Sequence, residues 1–184
     1  MPAPVQSGAG YLLGFAKHNI MDVTTSNPPR ARHLRLALVG WLALSFAASI
    51  TGVFVSTTGW YAGLHKPSWN PPGWIFGPTW TLLYVLMAVA AWLVWCEGGW
   101  KRQRLPLGLF LLQWLLNALW TPLFFGLHRS DLAFAEIFLL WLLLAATLRS
   151  FWRVRKAAGV LLVPYLAWVT FAAMLNFTIW RLNS

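Results

Sequence analysis

Five apolar runs, at residues 34–55, 74–95, 105–126, 132–148 and 157–180, leave this chain few folds to choose from. At 1.5 Å of rise per residue, each is long enough, or nearly so, to cross a hydrocarbon core about 30 Å thick. The later connections are short, and short loops make sequential helices antiparallel neighbours. The expected fold is an all-α integral membrane protein: a five-transmembrane-helix bundle with a long proline/tryptophan-rich loop between helices 1 and 2. Its two ends fall on opposite sides of the bilayer. Composition excludes the soluble alternative, because with 59% hydrophobic and only 10% charged residues the chain lacks the polar surface such a domain needs.

A net charge of +10 would suit a nucleic-acid binder. Its distribution argues otherwise. Lys17, Arg30, Arg32, Arg35, Lys101, Arg102, Arg104, Arg149, Arg153, Arg155 and Lys156 fall on the N-terminal side of the spans. Only Lys66, Arg129 and Arg181 fall on the other. That asymmetry is the positive-inside pattern. It predicts a bacterial inner membrane protein with a cytoplasmic N-terminus, and with the C-terminus and the first loop outside. The basic loops are then topology determinants that also attract an anionic leaflet, and no nucleic-acid partner is expected. Residues 1–33 read as a polar, mostly disordered lead to a membrane domain at 34–182. The apolar patch at 11–15 is too short for a signal-peptide core, and Met21 is an alternative start.

The loop at 60–74 cannot be helix throughout. Pro71 and Pro72 lack amide donors and fix φ, and Asn70 before them is driven toward extended backbone. Yet it carries Trp60, Tyr61, Trp69 and Trp74, too aromatic for a solvated linker. Irregular backbone of this kind is tolerated at the interface or under a cover of protein. The loop is therefore expected to fold back as a lid, with Trp60, Lys66, Pro67 and Trp69 in it and Pro67, Pro71 and Pro72 stiffening it.

Three helices offer stripes that such a lid would close over. Trp80 and Tyr84 share a face of the second helix, four residues apart. Gln113, Asn117, Trp120 and Phe124 share a face of the third, and Trp168, Ala172 and Asn176, with Leu175 beside them, share one of the fifth. The simpler account has the amides bonding neighbouring helices, each bond worth about 0.6 to 2 kcal/mol. The alternative is a pocket: flat π-faces, a small residue to leave room and a few polar groups, as a large flat apolar ligand requires. Trp92, Trp95, Trp100, Trp152 and Trp180 instead lie near helix ends, as in an interfacial aromatic belt. Pro122 and Pro164 interrupt the third and fifth helices, freeing the carbonyls of Ala118 and Val160 and predicting kinks.

Little other chemistry is available. The single Cys96 excludes an internal disulfide and a cysteine-based metal site, and the four histidines lack metal-ligand spacing. His65 is a loop histidine that could in principle ligate a haem iron, but the solvated reading outweighs that one and no metal site is expected. No nucleophile–base set, phosphate-cradling glycine loop or carboxylate pair is present. Glu136 is the one carboxylate well inside a span. Protonation, snorkelling, or pairing with Arg129 or His128 would each relieve its cost, and it is the chain's candidate tuning acid.

The run Trp60-Tyr61-x-x-Leu64-x-Lys66-Pro67-Ser68-Trp69-x-Pro71-Pro72 resembles the signature of the TspO/MBR family, the translocator proteins or peripheral-type benzodiazepine receptors. So do the runs from Leu116 to Gly126 and from Pro164 to Trp168, and Leu175-Asn176 followed by Trp180-Arg181. The resemblance spans about 36–182. It implies a five-helix membrane receptor or carrier, often a homodimer, that binds porphyrins such as protoporphyrin IX and haem as ligands rather than obligatory cofactors. In some members it extends to sterols and benzodiazepine-receptor-type ligands. A tetrapyrrole- or stress-sensing or transport role follows. The alternative is light-dependent degradation of protoporphyrin IX, with Trp80 and Trp168 as the candidate catalytic residues. The pocket positions implied are Tyr61, Pro71, Pro72, Trp80, Asn117, Trp120, Trp168, Ala172 and Leu175, to which the stripe on the second helix adds Tyr84. Two departures stand out. Phe177 replaces the tyrosine of the sterol-recognition pattern in animal members, and Leu132 stands where they place a tryptophan.

Overall fold

The computed structural model describes the backbone of residues 28–53 and 58–184. The expectations for a disordered lead over 1–27 and for Met21 lie outside the described residues. The chain divides into two units, Met1–Leu36 and Ala37–Ser184. Of the first, the described part is the opening of helix α1 (Pro28–Ala47). The second contains α2 (Phe76–Cys96), α3 (Arg104–Thr121), α4 (Ser130–Val154) and α5 (Lys156–Leu182). Five helical segments are long and apolar enough to cross a bilayer, as expected, and no strand occurs among the described residues.

The boundaries move in informative ways. Helix α1 is described from Pro28, ahead of the expected start at 34. A proline in the first turn loses no hydrogen bond, since that amide is unsatisfied in any helix. α1 breaks at Ala48-Ser49 and resumes as a single turn, Ile50–Val53. α4 continues past the expected 148 to Val154, carrying Arg149 and Arg153 on helix rather than loop. Straight-chain arginines are good helix formers, and their charged heads reach the interface from a helix end. The two prolines behave differently. Pro164 sits within a continuous α5. Pro122 converts the end of α3 into a π-helical turn, Pro122–Gly126.

Short loops did not make every sequential pair close neighbours. α4 packs along both α3 and α5, and α2 packs chiefly on α5 rather than on α3. α1 bridges the remaining gap with side chains: Trp41 meets Trp95 of α2 and Phe110 of α3 edge-on at 6.0 and 5.5 Å, and Phe46 lies 5.5 Å from Tyr84. The order around this unit is α1, α2, α5, α4, α3. The α4–α5 seam is the tightest. Its turn is the single extended residue Arg155, and the Trp141 Nε1–H donates 2.8 Å to Thr170 Oγ1. The core runs from Trp41 through Met87, Ala91, Leu107, Phe110, Leu144 and Phe151 to Leu162. It lies toward the ends of α2 and α4 away from the loop, so the loop side is left less densely filled.

Candidate functional site

The loop opens with a helical turn, Trp60–Gly63, crosses 64–72 without regular structure, and re-enters helix through a 3₁₀ turn at Gly73–Ile75. Its aromatic residues tie it down. Trp60 stacks on the imidazole of His128 at 4.4 Å and meets Phe124 edge-on at 5.6 Å. Tyr61 lies against Phe124 and Phe125 at 6.2 and 5.3 Å, and Trp69 against Phe171 at 5.9 Å. Pro67 accepts the Asn70 amide at 3.0 Å and closes a tight turn. Trp74, by contrast, is 74% exposed, as an interfacial anchor facing lipid would be.

Beneath the loop is a cavity of about 660 Å³. Its roof is Tyr61, Ala62, Lys66, Asn70 and Pro71. Its walls come from the stripes: Phe76, Trp80 and Tyr84 on α2; Asn117, Trp120 and Thr121 on α3; Trp168, Ala172, Leu175 and Asn176 on α5. α4 supplies Ile137 and Leu140, and the break after α1 supplies Ala48 and Ser49. Nine of the expected residues line one cavity: Trp80, Tyr84, Asn117, Trp120, Trp168, Ala172 and Leu175, which the helical stripes had grouped, and Tyr61 and Pro71, which the resemblance implied. Pro72 is not among them; it is exposed and precedes the 3₁₀ turn. Of the lid residues only Lys66 reaches the cavity, while Trp60, Pro67 and Trp69 brace the loop from outside it. Phe124, on the expected stripe, and Phe125 both line it from within the π turn. Such bulges often mark functional sites.

The aromatic walls are themselves packed. Trp80 stacks on Tyr84 at 5.4 Å, and Trp120 on Phe124 at 5.1 Å with planes 15° apart. Trp168 sits between Phe76 and Phe171, at 5.7 and 5.5 Å. Polar groups are few. The Tyr84 hydroxyl is within hydrogen-bonding reach of the Asn117 side chain. In the roof, burial raises the Tyr61 hydroxyl above its ordinary pKa, partly offset by a hydrogen bond with the Asn70 side chain, so Tyr61 stays neutral. A model of the TspO/MBR family matches residues 32–181.

The chain belongs to the TspO/MBR family.

It is 44% identical to the tryptophan-rich protein TspO of Chlorobaculum tepidum over 144 residues, 77% of this chain and 90% of that one. Protein CrtK of Rhodobacter capsulatus is 44% identical over 140 residues, covering 74% and 86% of the two chains. The translocator protein of Homo sapiens is 42% identical over 146 residues, covering 77% and 86%. Family and helices together make this a multi-pass membrane protein.

The structure resolves the partners of four residues that the sequence left open. Glu136 does not pair with Arg129 or His128. Arg129 is held by Asp131 in a two-pronged ion pair at 2.7 and 2.9 Å, His128 is stacked on Trp60, and neither Glu136 oxygen has a hydrogen-bond partner among the described residues. Glu136 also lies outside the cavity lining. The amides do not act alike either. Asn176 donates 3.2 Å to the Ser130 carbonyl and so staples α5 to the start of α4. Gln113 is fully buried with no partner among the described residues. His65 contributes its backbone rather than its imidazole. Its amide donates 2.9 Å to Asn183 Oδ1, and its carbonyl accepts from Asn183 Nδ2 at 2.9 Å.

That two-point clamp fastens the roof to the C-terminal end of α5, where Asn183 Nδ2 also donates 2.7 Å to Ile179. Sequence reasoning missed it, since a lone asparagine beyond a helix carries no periodic signal. Asn183→Ala removes both loop hydrogen bonds, worth about 1 kcal/mol each net. Stopped-flow measurement of ligand exchange should show association and dissociation both several-fold faster, with the equilibrium affinity little changed. Unaltered rates would mean the clamp does not restrain the roof.

Proposed function

We propose that this membrane protein binds porphyrins, protoporphyrin IX and haem among them, in the cavity beneath the loop, and that it acts as a tetrapyrrole receptor or carrier. One observation carries the reading: the cavity's volume, about 660 Å³, is walled on three helices by the flat rings of Trp80, Trp120 and Trp168. That volume falls within the roughly 300–1,000 Å³ of sites for drug-sized ligands. A planar macrocycle gains most where its faces meet aromatic faces and only its edge needs polar contact. Ala172 leaves room beside Trp168. Family membership supports the reading, as does the coincidence of the resemblance-derived positions with the cavity wall. Binding takes place in a homodimer in a bacterial inner membrane, with the loop on the outer face, as the asymmetry of Lys and Arg favours.

Titrating the purified chain with protoporphyrin IX while following tryptophan fluorescence, in the dark and then in light, tests this. Saturable quenching with the porphyrin bands intact is the expected result, and absence of saturable quenching overturns the reading. Light-dependent loss of those bands that Trp168→Phe abolishes would add photochemistry to binding.

A further inference from the structure

The cavity is chemically lopsided. Lys66, in its roof, is the one charged residue among those that line it. The opposite end is neutral. α2 enters at the roof, so Tyr84, eight residues beyond Phe76, lies about 12 Å deeper. α3 and α5 end at the roof, which sets Asn117 below Thr121, and Trp168 below Ala172 and Leu175. Down this axis the polar groups are a phenol and amides.

Lys66 is held in place but not neutralised. Its ammonium donates to the Leu64 and Ala62 carbonyls at 3.1 and 3.3 Å and sits 4.6 Å from the centre of the Tyr61 ring. The ion pairs among the described residues are Arg129–Asp131 and Arg155–Glu97, so no carboxylate of the described residues serves Lys66. An ammonium has three donor protons, and two carbonyls leave one for a further acceptor. The side chain is half-buried at the mouth. A large ligand entering beneath it strips away remaining water, and a charge dehydrated without a counter-charge is costly. A ligand that brings an anion to that point offsets the cost with a charge-assisted hydrogen bond, stronger than a neutral one.

We infer that Lys66 is the anion anchor of this cavity, selecting flat amphiphiles that carry a carboxylate on one edge and fixing that edge at the loop. The inference rests on the porphyrin reading and adds the ligand's orientation to it. The propionate edge of protoporphyrin IX lies under Lys66, and the methyl and vinyl edge points down toward Tyr84 and Leu140. Ordering of the 60–66 segment follows, because the anchored carboxylate replaces water beside the Tyr61 ring.

The test compares protoporphyrin IX with its dimethyl ester, which keeps the macrocycle and removes both charges. Each is titrated against the full chain in uncharged detergent micelles. The wild type should prefer the diacid by about tenfold. Lys66→Met should erase the preference by weakening the diacid about tenfold while leaving the diester within about twofold, which also reports an intact fold. Lys66→Arg should keep the preference. Equal binding of diacid and diester by the wild type overturns the anchor and leaves the porphyrin reading standing. So does parallel weakening of both ligands by Lys66→Met, or loss of the preference in Lys66→Arg. Binding of neither ligand by the wild type sinks the porphyrin reading and the anchor with it.

Discussion

Ala172→Trp should lower protoporphyrin affinity more than a hundredfold, about 2.7 kcal/mol, without lowering the melting temperature. Ala172 lines the cavity one turn from Trp168. An indole at 172 would project into the space that a stacked macrocycle must occupy. Adding bulk to a filled core is destabilising because neighbours are driven off their rotamers. Here the position borders a cavity of about 660 Å³, so the added bulk has open space to enter. Occupancy of the site and stability of the fold are thereby separated. Ala172→Ser, which adds one atom, serves as the control and should bind within a few-fold of wild type. Fluorescence titration and thermal unfolding on the same preparations decide the matter. Near-wild-type affinity in Ala172→Trp would show that the porphyrin sits elsewhere.

Gly159→Ala should destabilise the bundle by about 1–3 kcal/mol, although alanine is the better helix former. Gly159 lies in the first turns of α5, against the end of α4. A Cβ there would fall 2.7 Å from a ring carbon of Trp152 and 2.9 Å from the Trp152 Cα and Cβ. A side-chain tip could rotate away, but a backbone atom across a seam turned by one residue cannot. The helices must separate, and the α4–α5 packing is the most extensive in the unit. Gly108→Ala in α3 is the contrast, since nothing lies within 4 Å of its Cβ and the better propensity acts alone. Thermal unfolding in detergent should place Gly159→Ala several degrees below wild type and Gly108→Ala at or above it. Equal melting temperatures would refute the close-approach account.

The five spans, the irregular loop and the inward faces of three helices were legible because each rests on local physics. Hydrocarbon thickness sets the length of a span, prolines forbid helix at 71 and 72, and a residue's face follows from 3.6 residues per turn. Hence Trp80 with Tyr84, Asn117 with Trp120, and Trp168 with Ala172 could be grouped before any tertiary contact was known. Boundaries were less legible. The onset at Pro28 and the end at Val154 depend on caps and interfacial depth, which hydropathy averages over. Pro122 announced a disturbance without saying that it would be a π turn, or that Phe125 beside the expected Phe124 would reach the cavity.

Two other cases mark where local reasoning ends. Glu136 has two candidate partners near it in sequence, yet Asp131 takes Arg129 and Trp60 takes His128. Asn183 and His65 are 118 residues apart and carry no pattern, yet they make the clamp on the roof. In both cases the outcome is a competition among partners that meet only when helices are arranged in space.

By itself the sequence determined that this chain crosses a membrane five times, which faces of the second, third and fifth helices turn inward, and that an aromatic, proline-stiffened loop covers one end. Only the tertiary structure decided the order of the helices around the unit, with α2 against α5. It also decided the convergence of three aromatic faces on one cavity, and the placing of Lys66 as the lone charge in its roof. The physical reason is that periodicity specifies directions relative to a helix's own axis. Neighbours, voids and counter-ions arise from the packing between axes, which no single helix encodes.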